Sequence, residues 1–129
     1  METLQADAFR DGRLLREGTW VVAFLADWCP FSQRFRPKFA ALDGGSAFRT
    51  AVGDVTAEES ALWDDFLIEA IPTLIVFREG RPIFRADGLL GLGLPEESLG
   101  AARSAALSNR TGGRPAETSG SREWRDALE

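Results

Sequence analysis

The stretch TWVVAFLA, residues 19–26, constrains the fold more than any other part of the chain. After Thr19 it is apolar to its end and rich in valine and aromatic side chains. A strand with one wet face alternates apolar and polar residues, so an unbroken run marks a strand covered on both faces. Both covers must come from elsewhere in the chain. Residues 30–42 (PFSQRFRPKFAAL) offer one, because Phe31, Phe35, Phe39 and Leu42 recur at helical spacing. Pro30 suits the first turn of that helix, where its missing N–H costs nothing. Pro37, inside the helix, predicts a kink.

The remaining segments alternate in type. Leu4, Ala8, Phe9, Leu14 and Leu15 predict a short helix over 4–16, weakened by Gly12. A second strand is expected over 48–55. A helix is expected over 57–69, with Thr56 as N-cap, Glu59 completing a capping box, and Leu62 and Phe66 on its buried side. TLIVFR, residues 73–78, reads as a strand that turns at Glu79-Gly80 and returns antiparallel as RPIFRA. Pro82 puts that return at an edge. A last helix opens at Pro95 and runs to about Ser108. Such alternation predicts an α/β fold with a mixed central sheet and helices on its faces, in three layers.

At 129 residues the chain suits one domain, expected over 1–108. The tail, 109–129, is rich in Gly, Ser, Thr, Pro, Arg and Glu and is expected to be disordered. The net charge of −5 disfavours nucleic acid and an anionic membrane surface, which both need a basic footprint. There is no histidine, which removes the commonest general base and the commonest metal ligand together. Asp64, Asp65 and Glu69 read as a solvated face rather than a metal site. GLLGLG, residues 88–93, has glycines but no lysine, so no phosphate loop is expected. The polar N-terminus lacks an apolar signal core, and no stretch is long enough to span a bilayer, so a cytoplasmic location is expected.

A single cysteine excludes any intramolecular disulfide. Cys29 stands in WCPFS, residues 28–32, at the expected start of a helix. Unpaired N–H groups and the helix macrodipole favour an anion there, which points to a nucleophilic sulfur. The bland alternative is a small buried apolar residue that happens to contain sulfur.

Four spaced landmarks resemble the thioredoxin family. A buried strand runs into Trp28-Cys29, Pro37 follows within the helix, Ile71-Pro72-Thr73 opens a later strand, and FREGRPIFRADG matches the family's hairpin with its closing glycine, Gly88. The resemblance covers roughly 4–108, with the family's first strand reduced. It implies a thioredoxin-like three-layer sandwich and a cis peptide before Pro72. It implies that Cys29 is catalytic; beside it, the Ser32 hydroxyl is expected to donate a hydrogen bond to the sulfur. Trp28, Pro30, Phe31, Ile71, Pro72 and Thr73 would line the substrate-docking surface.

Ser32 stands where the family has its resolving cysteine, and Ala23 where it has a buried aspartate. The two departures agree, since without a second thiol an unpaired buried carboxylate has nothing to activate and is costly. An attack by Cys29 on a disulfide would leave a mixed disulfide that only an outside thiol releases. The expected function is therefore exchange through one cysteine: glutathione- or external-thiol-dependent exchange, isomerisation, or capture of a client protein with a cysteine or disulfide. No bound cofactor or metal is expected. The alternative is a non-catalytic binding or chaperone-like module on the same fold.

Overall fold

The computed structural model describes residues 1–108, and the tail expected to be disordered lies outside the described residues. The chain opens with β1 (Glu2–Leu4), a 3-10 turn (Ala6–Ala8), and the short pair β2 (Phe9–Arg10) and β3 (Arg13–Leu14). Then come β4 (Thr19–Leu25), α1 (Pro30–Ala40), β5 (Arg49–Asp54) and α2 (Leu62–Asp65). The chain continues through β6 (Thr73–Arg78), β7 (Arg81–Asp87) and α3 (Glu97–Leu107). Five strands form one sheet in the order β1-β5-β4-β6-β7. β1 and β4 flank β5 in parallel, whereas β6 runs antiparallel to β4 and β7 antiparallel to β6.

The double-sided run behaves as its composition requires. Val21, Ala23 and Leu25 of β4 join a core with Phe35 and Phe39 of α1 and Ala102 and Ala106 of α3. Trp20, Val22 and Phe24 face the other way, into a core with Phe9, Leu14, Leu62 and Phe66. Gly53 lies opposite Phe24 in the β4–β5 register. A Cβ there would fall 2.6 Å from the Phe24 ring, so glycine makes room for that ring. α1 continues through Pro37. β7 is an edge strand, as Pro82 implies, and the Glu79-Gly80 turn has φ of 51° and 85°.

Two expected helices are not formed as expected. Residues 4–16 hold no α-helix. Asp11 and Gly12 both have positive φ, 53° and 77°, and close a two-residue hairpin that pairs Phe9 with Leu14. Asp-Gly is a strong signal for that turn, and it outweighs the helical spacing of the apolar residues. The hairpin docks on the β6–β7 turn through a bond from Leu14 N–H to Gly80 O (3.0 Å). The helix expected over 57–69 shrinks to the four residues of α2. Thr56 does not cap it, because its Oγ1 accepts the N–H of Asp27 at 2.9 Å. Ser60 Oγ instead accepts the N–H of Leu62.

Candidate active site

β4 delivers the chain to the sheet's edge of loops at Leu25, and Ala26–Cys29 turn it into α1. Cys29 N–H donates to Ala26 O (3.2 Å), and Cys29 O accepts from Gln33 N–H (2.9 Å) as the first helical bond. Cys29 is thus the N-cap of α1, in extended geometry, with Pro30 next. It makes no side-chain cap bond. The N–H groups of Phe31 and Ser32 in the first turn have no partner among the described residues. This is the arrangement in which a helix start receives a negative charge. Cys29 is 6% exposed and packs in the core that holds Phe24 and Ile71.

Ser32 is buried, and its Oγ accepts the backbone N–H of Ala26 at 3.2 Å. Among the described residues no hydrogen bond joins this hydroxyl to the sulfur of Cys29, so the expected partnership is replaced by a bond to the backbone. Ala26 is wholly buried, and without Ser32 its N–H would be orphaned. Ala23 is also wholly buried, among apolar neighbours where a carboxylate would find no partner.

The sheet register brings the second landmark to the same place. Phe24 of β4 pairs with Thr73 of β6, so the residues after Leu25 and those before Thr73 lie at one end of adjacent strands. The Ile71–Pro72 peptide is cis. Thr73 is buried, and its Oγ1 donates to Ala70 O at 2.8 Å, which ties the loop closed. Pro72 O accepts from Gly88 N–H (2.9 Å), whereas Ile71 N–H and C=O have no partner among the described residues. The loop at 88–93 spans the two landmarks. A Cβ on Gly88 would fall 2.7 Å from Pro72 O, and one on Gly93 2.9 Å from the Phe31 ring.

Trp28 is half-exposed on the opposite flank. Its ring stacks on Trp63 (centroids 6.5 Å apart, planes at 14°), and its Nε1 donates to Thr56 O at 2.8 Å. Thr56 N–H in turn donates to Asp54 Oδ1 (3.0 Å), and Gln5 Nε2 donates to Asp54 Oδ2 (3.1 Å). Burial pushes the Asp54 carboxyl up, but the bonds from Thr56 and Gln5 and the charge of Arg36 outweigh it and hold the group below its ordinary value. Thr56, Asp54 and Trp63 thus position Trp28, and the sequence reading missed all three in this role. The only local signal was a threonine, which reads equally well as a cap. On the other flank Arg34 lies over the Phe31 ring, 5.1 Å from its centroid.

The thioredoxin family model matches residues 1–93. The chain belongs to the thioredoxin family. Solved thioredoxins share its fold: thioredoxin f from spinach chloroplast aligns with a TM-score of 0.66 at 18% identity, covering 83% of this chain and 93% of that one. Malassezia sympodialis thioredoxin aligns with a TM-score of 0.61 at 20% identity, covering 84% and 91%. Among curated proteins, Thioredoxin-related transmembrane protein 1 from cattle and from human is 37% identical over 71 residues. That match covers 53% of this chain and 25% of each relative's length. No helix among the described residues is long and apolar enough to cross a membrane. The family supports a thiol–disulfide oxidoreductase-like protein.

Proposed function

We propose that this thioredoxin-family protein carries out thiol–disulfide exchange through Cys29 alone. The observation that carries the reading is the place of Cys29 as the N-cap of α1, at the strand end shared with Ile71–Pro72. The N–H groups of Phe31 and Ser32, without a partner among the described residues, can donate to the sulfur at that position as it reacts. The unpaired backbone of Ile71 can hold an extended client segment by strand-like bonds. The thiolate attacks one sulfur of a client disulfide. A bond from Cys29 to the client forms, the client S–S bond breaks, and the second client sulfur leaves with the electron pair. Ser32 cannot attack the mixed disulfide, since its hydroxyl stays protonated at neutral pH. An outside thiolate such as glutathione, or another thiol of the client, attacks instead and releases Cys29. The first route is external-thiol-dependent exchange and the second is isomerisation. A cytosolic setting supplies the outside thiol.

One observation favours the binding-module reading: Cys29 is only 6% exposed. The two readings part on a direct measurement. The folded protein is incubated with oxidised glutathione, then with reduced glutathione, and its mass is followed. Exchange chemistry predicts one glutathione added at Cys29, removed by the reduced form, and no addition to Cys29→Ala. A folded protein that stays unmodified, with a Cys29→Ala variant that still holds its client, would establish the module instead.

A further inference from the structure

We propose that Leu67, Leu89, Leu90 and Leu92 form a client-selecting surface beside the Ile71–Pro72 loop, which takes an extended segment bearing a bulky apolar side chain next to a basic one. The inference rests on the exchange reading above. Three of the leucines come from GLLGLG, a stretch that the chemistry at Cys29 does not use. The loop is closed on itself: Leu89 N–H donates to Gly93 O (3.0 Å), and Leu92 and Gly93 N–H both donate to Leu89 O (3.0 and 2.9 Å). Gly91 and Gly93 have φ of 78° and 79°, which a leucine would adopt only under strain. A tied loop thus holds its leucines outward. Leu90 is 81% exposed and Leu92 75%. A single exposed leucine is ordinary, but Leu67, Leu89 and Leu90 line one cavity and Leu92 belongs to the same tied loop, a grouping that marks a surface that gains from being covered.

The group is continuous with the exchange site. Leu67, Leu89 and Leu90 line a cavity of about 370 Å³ together with Ala70 and Gly88. Ala70 precedes Ile71, whose backbone is unpaired, and Gly88 is bonded to Pro72 O. A client strand bonded to Ile71 therefore passes this cavity, and alternate side chains can enter it. Charge selects further. Glu69 lines the same cavity, is exposed, and has no hydrogen-bond or ionic partner among the described residues. Asp87, the other acid there, is already balanced by Arg85 at 2.9 Å. The uncompensated carboxylate favours a lysine or arginine on the client.

The test uses the full chain and two short peptides, each with one cysteine carried as a disulfide with thionitrobenzoate. One peptide has Leu and Lys on both sides of its cysteine; the other has Ser and Glu. Attack by the Cys29 thiolate joins the peptide sulfur to Cys29, breaks the peptide–thionitrobenzoate bond and releases the coloured thiolate. The Leu/Lys peptide is expected to react about tenfold faster, the discrimination one apolar contact typically supplies. Leu90→Ser with Leu92→Ser, checked for folding by circular dichroism, brings the ratio of the two rates towards one, and Glu69→Lys also lowers it. Equal rates in the unaltered protein would overturn this inference while leaving exchange at Cys29 intact. A preference that survives the double leucine variant would overturn it too. Release of thiolate with neither peptide would overturn both the inference and the exchange reading beneath it.

Discussion

Ser32 does more for the fold than for the sulfur beside it. Its Oγ is the partner of Ala26 N–H, in a segment with no access to water. A buried N–H left without a partner costs about 1–3 kcal/mol. Ser32→Ala is therefore expected to lower unfolding free energy by about that much, read as a reduced urea midpoint at unchanged slope. An unchanged midpoint would mean that the hydroxyl is not needed there. The position of Cys29 was legible from WCPFS because a proline after a cysteine at the end of an apolar run marks a helix start. The partner of Ser32 was not, because an acceptor for Ala26 N–H is defined only once the turn between β4 and α1 has its shape.

At the scale of elements, the hairpin of β2 and β3 takes the place of an expected helix and fills part of one face of the sheet. Phe9 is its anchor: its ring lies 5.8 Å from Phe24, 5.4 Å from Phe66 and 5.9 Å from Phe77. Phe9→Ala would open a cavity in this aromatic group and is expected to cost about 3–5 kcal/mol, measured by urea unfolding. A loss below about 1 kcal/mol would show the hairpin to be peripheral. The strands β4 and β6 were legible because each is an apolar run too short for a helix and bounded by turn residues. The first sixteen residues were not, because Leu4, Phe9 and Leu14 meet the core from either a helix or a hairpin. Pairing of β1 with β5, far along the chain, helps to select the second. α2 lost its expected length for a similar reason, since Thr56 is used by Asp27 rather than by the helix.

Across the whole molecule, Asp54 joins the sheet to the site, reaching Gln5 on one side and, through Thr56, Trp28 on the other. Its carboxyl titrates lower in the fold than in the unfolded chain, because hydrogen bonds favour the charged form more than burial disfavours it. Its contribution to stability is therefore complete above the unfolded value, about 4, and is lost as pH falls through the lower folded value. Unfolding free energy measured in urea across that acid range is expected to fall. Asp54→Asn is expected to be weaker already at neutral pH and to decline less over the same range. Equal declines would remove Asp54 from this role. Glu2 is lowered in the same direction by its hydrogen bond from Arg16, but it is exposed and contributes little.

The sequence by itself determined the double-sided strand, the helix that opens behind Cys29, and the strand that follows Pro72. Each depends on residues adjacent in the chain, where apolar period and proline act directly on the backbone. Only the tertiary structure decided that the first sixteen residues form a strand and a hairpin, that Ser32 serves Ala26, and that the leucine loop lies between Phe31 and Pro72. Those outcomes depend on which donors, rings and carbonyls meet across the sheet, and that is set only when distant segments pack.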